Sequence, residues 1–143
     1  MKAKKTVQSM LVKWAVITTI LSMFIGNYAI AGSKYRVAFF AASSQNGFNQ
    51  AVYTGIKRQA KAIGNVDTVM YNGEFSAAIQ YNQIEDVIAS KKFDAFIVLP
   101  NDTVGVAQVV HEAIEAGFKV ASTLFPIGPD LFTLEPQVKG LTD

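Results

Sequence analysis

YRVAFFAASSQNGFNQAVYTGIKRQA, Tyr35 to Ala60, carries the chain from one kind of periodicity to another. Tyr35–Ala42 is almost continuously apolar, as suits a strand covered on both faces. Beyond a short polar turn, Phe48, Ala51, Val52, Gly55, Ile56, Ala60 and Ile63 recur at i, i+3, i+4, i+7 spacing, while Lys57, Arg58 and Lys61 fall elsewhere. That spacing predicts an amphipathic helix, with Gly64 as its natural stop. Between strand and helix lies Ser43–Asn49, rich in hydroxyls and amides, with the aromatic ring of Phe48 among them.

The same alternation continues downstream. Val66–Tyr71, Asp94–Pro100 and Phe118–Leu124 read as further strands. Ser76 is placed to cap a second helix, Ala77–Ser90, striped by Ile84, Val87 and Ile88, and Lys91-Lys92 suit the negative end of its dipole. A third helix is expected to start near Asn101-Asp102-Thr103, to bury Val106, Val109, Val110, Ala113 and Ile114, and to stop at Gly117. Strands and helices joined βαβαβαβ by short connections call for right-handed crossovers and a parallel sheet between helix layers. The expected class is α/β, a three-layer α/β/α lobe. The last 19 residues, Phe125–Asp143, break the alternation; three prolines and two glycines permit only short extended pieces.

Upstream of the strand lies a different kind of segment. Lys2, Lys4, Lys5 and Lys13 precede the nearly uncharged apolar run Trp14–Ile25, and Ala29-Ile30-Ala31 is the small-x-small pattern of a signal-peptidase site. The run is 12 residues long, short of the roughly 20 that span a bilayer. Residues 1–31 therefore read as an export signal peptide cleaved after Ala31, and with no lipid-anchor cysteine following it the expected location is the periplasm. The whole chain carries 13 Lys+Arg and 11 Asp+Glu; without the four lysines of the leader, nine basic and eleven acidic side chains remain, net −2. A slightly acidic protein with no basic cluster offers no electrostatic case for nucleic acid. The chain has no cysteine, so disulfides, thiolate metal sites and thiol nucleophiles are all excluded.

In an open parallel sheet, ligands lie beyond the carboxyl ends of the strands, where the crossovers change sides. That rule gathers Ser43, Ser44, Gln45, Asn46, Phe48 and Asn49 after the first strand and Asn72-Gly73-Glu74 after the second. Asn101, Asp102 and Thr103 follow the third, and Thr123, Leu124 and Phe125 the fourth. Amides and carboxylates pair with vicinal hydroxyls, and an aromatic face stacks on the C–H face of a sugar ring. The plainer readings stand beside this one: Asn46 as a helix cap, Phe48 as the first residue of an apolar stripe, Asp102 as the cap of the third helix. Enzyme signatures are missing. Only Gly47 stands where a dinucleotide site needs G-x-G-x-x-G, and Ala41-Ala42-Ser43-Ser44 holds no acids for magnesium. Ser43 and Ser44 lack a nucleophile elbow. His111, between helical neighbours and beside Glu112, reads as part of a solvated face. No enzyme, metal or cofactor is expected.

The stretch from Tyr35 to Ala60, the block YNQIEDVIASKKFDAFIVLPNDTVGVAQVVHEAIEAGFKVAST, and the leader before them together resemble the N-terminal lobe of type I periplasmic binding proteins, the sugar receptors of ABC importers, with the ribose-binding branch the best known. The similarity covers residues 35–124. It implies a flavodoxin-like strand order, 2-1-3-4, and a site between two hinged lobes. By position, Asn46 would hydrogen-bond the sugar, Phe48 would stack on it, and Asn49 would stand where a second aromatic is usual. Ala42 replaces a hydroxyl of the family, and Leu124-Phe125 replace an Asp-Arg pair. The lost charge-assisted bonds shift the expectation from ribose to another sugar or a less polar small molecule. The resemblance further implies a membrane importer as partner, residues 32–124 as the lobe, and residues 125–143 as the lead-in to a missing second lobe. The alternative expectation is an exported single-lobe sensor or adaptor that contacts a membrane receptor's ectodomain.

Overall fold

Seven alternating elements make up the computed structural model, which describes residues 34–133 and 135–142; the expected export signal, Met1–Ala31, lies outside them. They are β1 (Tyr35–Ala41), α1 (Gly47–Ile63), β2 (Val66–Asn72), α2 (Ala77–Ser90), β3 (Ala95–Val98), α3 (Ala107–Glu115) and β4 (Lys119–Ser122). All strand pairs are parallel, in the order β2-β1-β3-β4. The register aligns the strand ends: Ala41 lies opposite Asn72, Phe40 opposite Val98, and Val98 opposite Ser122. The four following connections therefore leave from one edge, and the order reverses between β1 and β3.

Successive side chains of β1 point to opposite faces, and both faces are covered. Ala38 and Phe40 pack with Ile84 and Val87 of α2 and Val109, Val110 and Ala113 of α3. Phe40 meets Tyr71 face to face at 5.1 Å and Phe96 edge to face at 5.4 Å. Phe39 and Ala41 pack against Val52, Tyr53 and Ile56 of α1, and the Tyr53 hydroxyl donates to the Thr68 carbonyl at 3.0 Å. Each fully buried phenylalanine stabilises the fold by about 1.5–3 kcal/mol.

Local chemistry terminates the elements. Asn46 Oδ1 accepts from the Phe48 and Asn49 N–H groups at the start of α1, and Ser76 Oγ accepts from Ile79 N–H in α2. Gly64 and Gly117 end α1 and α3 at φ +95°, a conformation that costs glycine little. The third helix departs from expectation. Asp102 Oδ1 accepts from both Val104 and Gly105 N–H at 2.9 Å, closing a tight turn of its own. Regular helix then begins only at Ala107, with no side-chain cap. β3 and β4 are also shorter than expected, since Pro100 has no N–H for a ladder and Leu124 turns away at φ +71°.

The segment after β4 is irregular but packed on the lobe. Ile127, Val138 and Leu141 are buried in the core beneath α3 and β4. Gly128 N–H donates to the Thr103 carbonyl at 2.8 Å. Thr142 forms a parallel bridge with Ala121, donating to Val120 and accepting from Ser122. The stretch expected as a lead-in to a second lobe thus supplies three core side chains to this one.

Candidate functional site

The connection after β1 is held from below. Ser43 is buried, its Oγ accepting from Gln45 N–H at 3.1 Å. Asn49 is buried as well, and its Nδ2 donates to the Ser43 carbonyl at 2.8 Å. The expectation had both facing a ligand; their burial and hydrogen bonds turn them inward to shape the loop. Ser44 N–H donates to Asn72 Oδ1 at 2.7 Å, which ties the first connection to the second. Gly73 sits so close that an added Cβ would stand 2.7 Å from the Ala41 carbonyl oxygen and 2.6 Å from Asn101 Nδ2.

Asn101 joins the third connection to the other two. Its Nδ2 lies 3.3–3.4 Å from the carbonyls of Ala42, Gly73 and Ser76, and its backbone N–H donates to Gln80 Oε1 at 2.8 Å. Gln80 is fully buried and its Nε2 donates to the carbonyls of Leu99 and Phe40. One amide side chain thus serves the ends of β1 and β3 and the loop between β3 and α3. Sequence reasoning missed it, although a signal was present: Gln80 lies one turn before Ile84 on the apolar stripe of α2.

Above this network the exposed residues are of another kind. Gln45, Asn46 and Asp102 are open to solvent, and Phe48 and Phe125 are about half exposed. Phe48 is therefore not consumed as the first core residue of α1. Phe125 shares a recess of ≈ 390 Å³ with Pro100, Asn101, Asp102, Thr103 and Leu131. Leu131 of this recess, and Phe75 and Val104 on the second and third connections, are further exposed apolar groups that the sequence reading did not single out. Glu74, Phe75 and Leu124 adopt left-handed backbone at φ +52°, +54° and +71°, a strain of roughly 1–3 kcal/mol each that gathers at functional sites. Behind the crevice, burial raises the Tyr71 phenol above its ordinary pKa; Arg36 pulls it partly back and Asp86 pushes it up. Among the described residues no group of three or more acids or histidines is placed to hold a metal ion.

A parallel sheet of this order, with a knitted floor and an open apolar rim at its carboxyl end, matches a known domain. The periplasmic binding protein domain model covers residues 37–129. The chain belongs to the periplasmic binding protein family. Among solved structures, an ABC transporter solute-binding protein from Agrobacterium vitis, bound with alpha-D-tagatopyranose, superposes with a TM-score of 0.58 at 28% identity, over 62% of this chain and 30% of that one. Another from Burkholderia multivorans gives 0.60 at 28% identity, over 70% and 36%. A Caulobacter myo-inositol binding protein shares the fold at 19% identity, with a TM-score of 0.57 over 71% and 33%. The chain spans about a third of the length of these solved relatives. A search of curated proteins found no match. The family and these neighbours are binding proteins rather than enzymes, and the Agrobacterium and Burkholderia proteins are ABC transporter solute-binding proteins.

Proposed function

We propose that this chain is an exported solute-binding lobe that presents half of a sugar or polyol site to an ABC importer system. The observation that carries the reading is the division of labour at the carboxyl end of the sheet. Buried amides lock the first three connections together, while Phe48, Asn46, Gln45, Asp102 and Phe125 are left open above them. Phe48 offers an aromatic face to the C–H face of a ring, and the amide of Asn46 and the second carboxylate oxygen of Asp102 offer polar partners to hydroxyls. Ser44 and Asn101 complete the polar lining. No lysine or arginine stands among these residues, which suits a neutral ligand.

A second lobe would close over this surface. Burial between two walls is what gives such pockets their affinity, and solved relatives about three times as long support that arrangement. Export through Met1–Ala31 places the protein in the periplasm on this reading, with residues 125–143 leading toward the second lobe after their contacts with the first. The test is a calorimetric screen of neutral sugars and polyols on a protein carrying both lobes. Phe48→Ala should then weaken the best ligand by roughly ten-fold or more. Unchanged affinity would remove Phe48 from the site, and a screen with no binder at all would overturn the solute-capture reading.

A further inference from the structure

The opposite end of the sheet carries a recess that solute capture does not use. Its volume is ≈ 480 Å³, and Tyr35, Ile88, Phe93 and Phe118 contribute apolar walls, with Lys91, Lys119 and Asp94 among the polar groups. The recess exists because two helices stop at the same level. Lys91 turns the chain out of α2 at φ +50°, and Gly117 turns it out of α3 at φ +95°, with nothing within 4 Å of where a Cβ would stand. Its aromatic walls are fixed by packing. Phe118 stacks on Phe96 at a centroid distance of 4.5 Å, and Phe93 meets Tyr71 edge to face at 6.1 Å.

The charges around it are unevenly matched. Lys91 and Lys119 are exposed, and neither forms an ion pair among the described residues. The Arg36 guanidinium lies 4.6 Å from the Phe93 ring centroid. Asp94 opposes them, but its Oδ2 already accepts from the Arg36 backbone N–H at 2.7 Å. The carbonyl ends of α2 and α3 add partial negative charge, which two full ammonium charges outweigh. A cavity of this size, mostly apolar with a few convergent polar groups, is what small-molecule sites share.

We propose that this recess binds a small amphipathic carboxylate, its apolar body against Phe93 and Phe118 and its carboxylate between the ammonium groups of Lys91 and Lys119. The site lies at the far end of the strands from the solute crevice and does not depend on the function proposed for that crevice. Such binding weakens as salt rises, because both lysines face solvent.

The experiment is a titration of the ¹⁵N-labelled full-length chain with phenylacetate, followed by amide NMR, beside 2-phenylethanol as a neutral probe of similar shape. Saturable shifts are expected at Lys91–Ala95 and Ala116–Lys119. They should weaken about ten-fold in the double variant Lys91→Gln/Lys119→Gln and also with 2-phenylethanol. Both substitutions are on the surface, and an unchanged amide spectrum elsewhere will report an intact fold. The proposal is overturned if no saturable shifts occur there, if 2-phenylethanol binds equally well, or if the double variant binds phenylacetate like the parent.

Discussion

Gln80 is the residue on which the crevice floor turns. Its three hydrogen bonds reach the Phe40 and Leu99 carbonyls and the Asn101 N–H, and its side chain has no access to water. Removing one partner of a buried hydrogen bond leaves the others with their full desolvation penalty, about 1–3 kcal/mol per group. Gln80→Leu, close in volume but without polar atoms, should therefore destabilise the lobe by roughly 2–4 kcal/mol. Urea unfolding at constant m-value will measure it, and a loss under ~0.5 kcal/mol would deny Gln80 this role. The contrast with Phe48 is instructive. Both lie at the carboxyl end of the sheet, yet Gln80 is 0% exposed and Phe48 51% exposed. An amide on an apolar helix stripe was visible in the sequence, but its three partners were not. They come from β1, β3 and the loop after β3, up to 40 residues away.

At the scale of elements, helix ends were legible because caps are local. Ser76 precedes Ala77 and meets Ile79, three residues on, and Ser76→Ala should lower stability by about 0.5–2 kcal/mol in thermal or urea melts. A melt unchanged by this substitution would mean that tertiary packing alone sets the start of α2. The start of α3 was not legible in the same way. Asp102 is an excellent cap by type, but the chain uses it on the turn Asp102–Gly105, where an added Cβ on Gly105 would lie 3.1 Å from the Asp102 carboxyl. Both arrangements satisfy the same carboxylate, so composition does not choose between them. Val106, fully buried, then stands at the head of α3.

At the scale of the whole molecule, the segment after β4 changes what the lobe is. Ile127 is 0% exposed within the core shared by α2, α3 and the sheet, so Ile127→Ala should cost about 2–5 kcal/mol. A cooperative melt within 1 °C of the parent would show that this stretch is not part of the folding unit. A separate prediction concerns export: intact mass spectrometry of the exported fraction should find a protein beginning at Gly32. Retention of Met1–Ala31 there would refute cleavage after Ala31. The sequence by itself determined the alternation of strands and helices and the α/β class, and from these the edge at which the site is proposed. Periodicity, caps and stops act within a few residues, and the rule about carboxyl ends needs only topology. Tertiary structure alone decided which polar residues at that edge would be spent. Asn49 and Asn101 are the same residue type as Asn46, but Asn49 Nδ2 meets the Ser43 carbonyl and Asn101 Nδ2 the carbonyls of Ala42, Gly73 and Ser76, groups that must be paired once water is excluded. Those two amides turn inward, whereas the Asn46 side chain caps α1 at the surface and stays exposed.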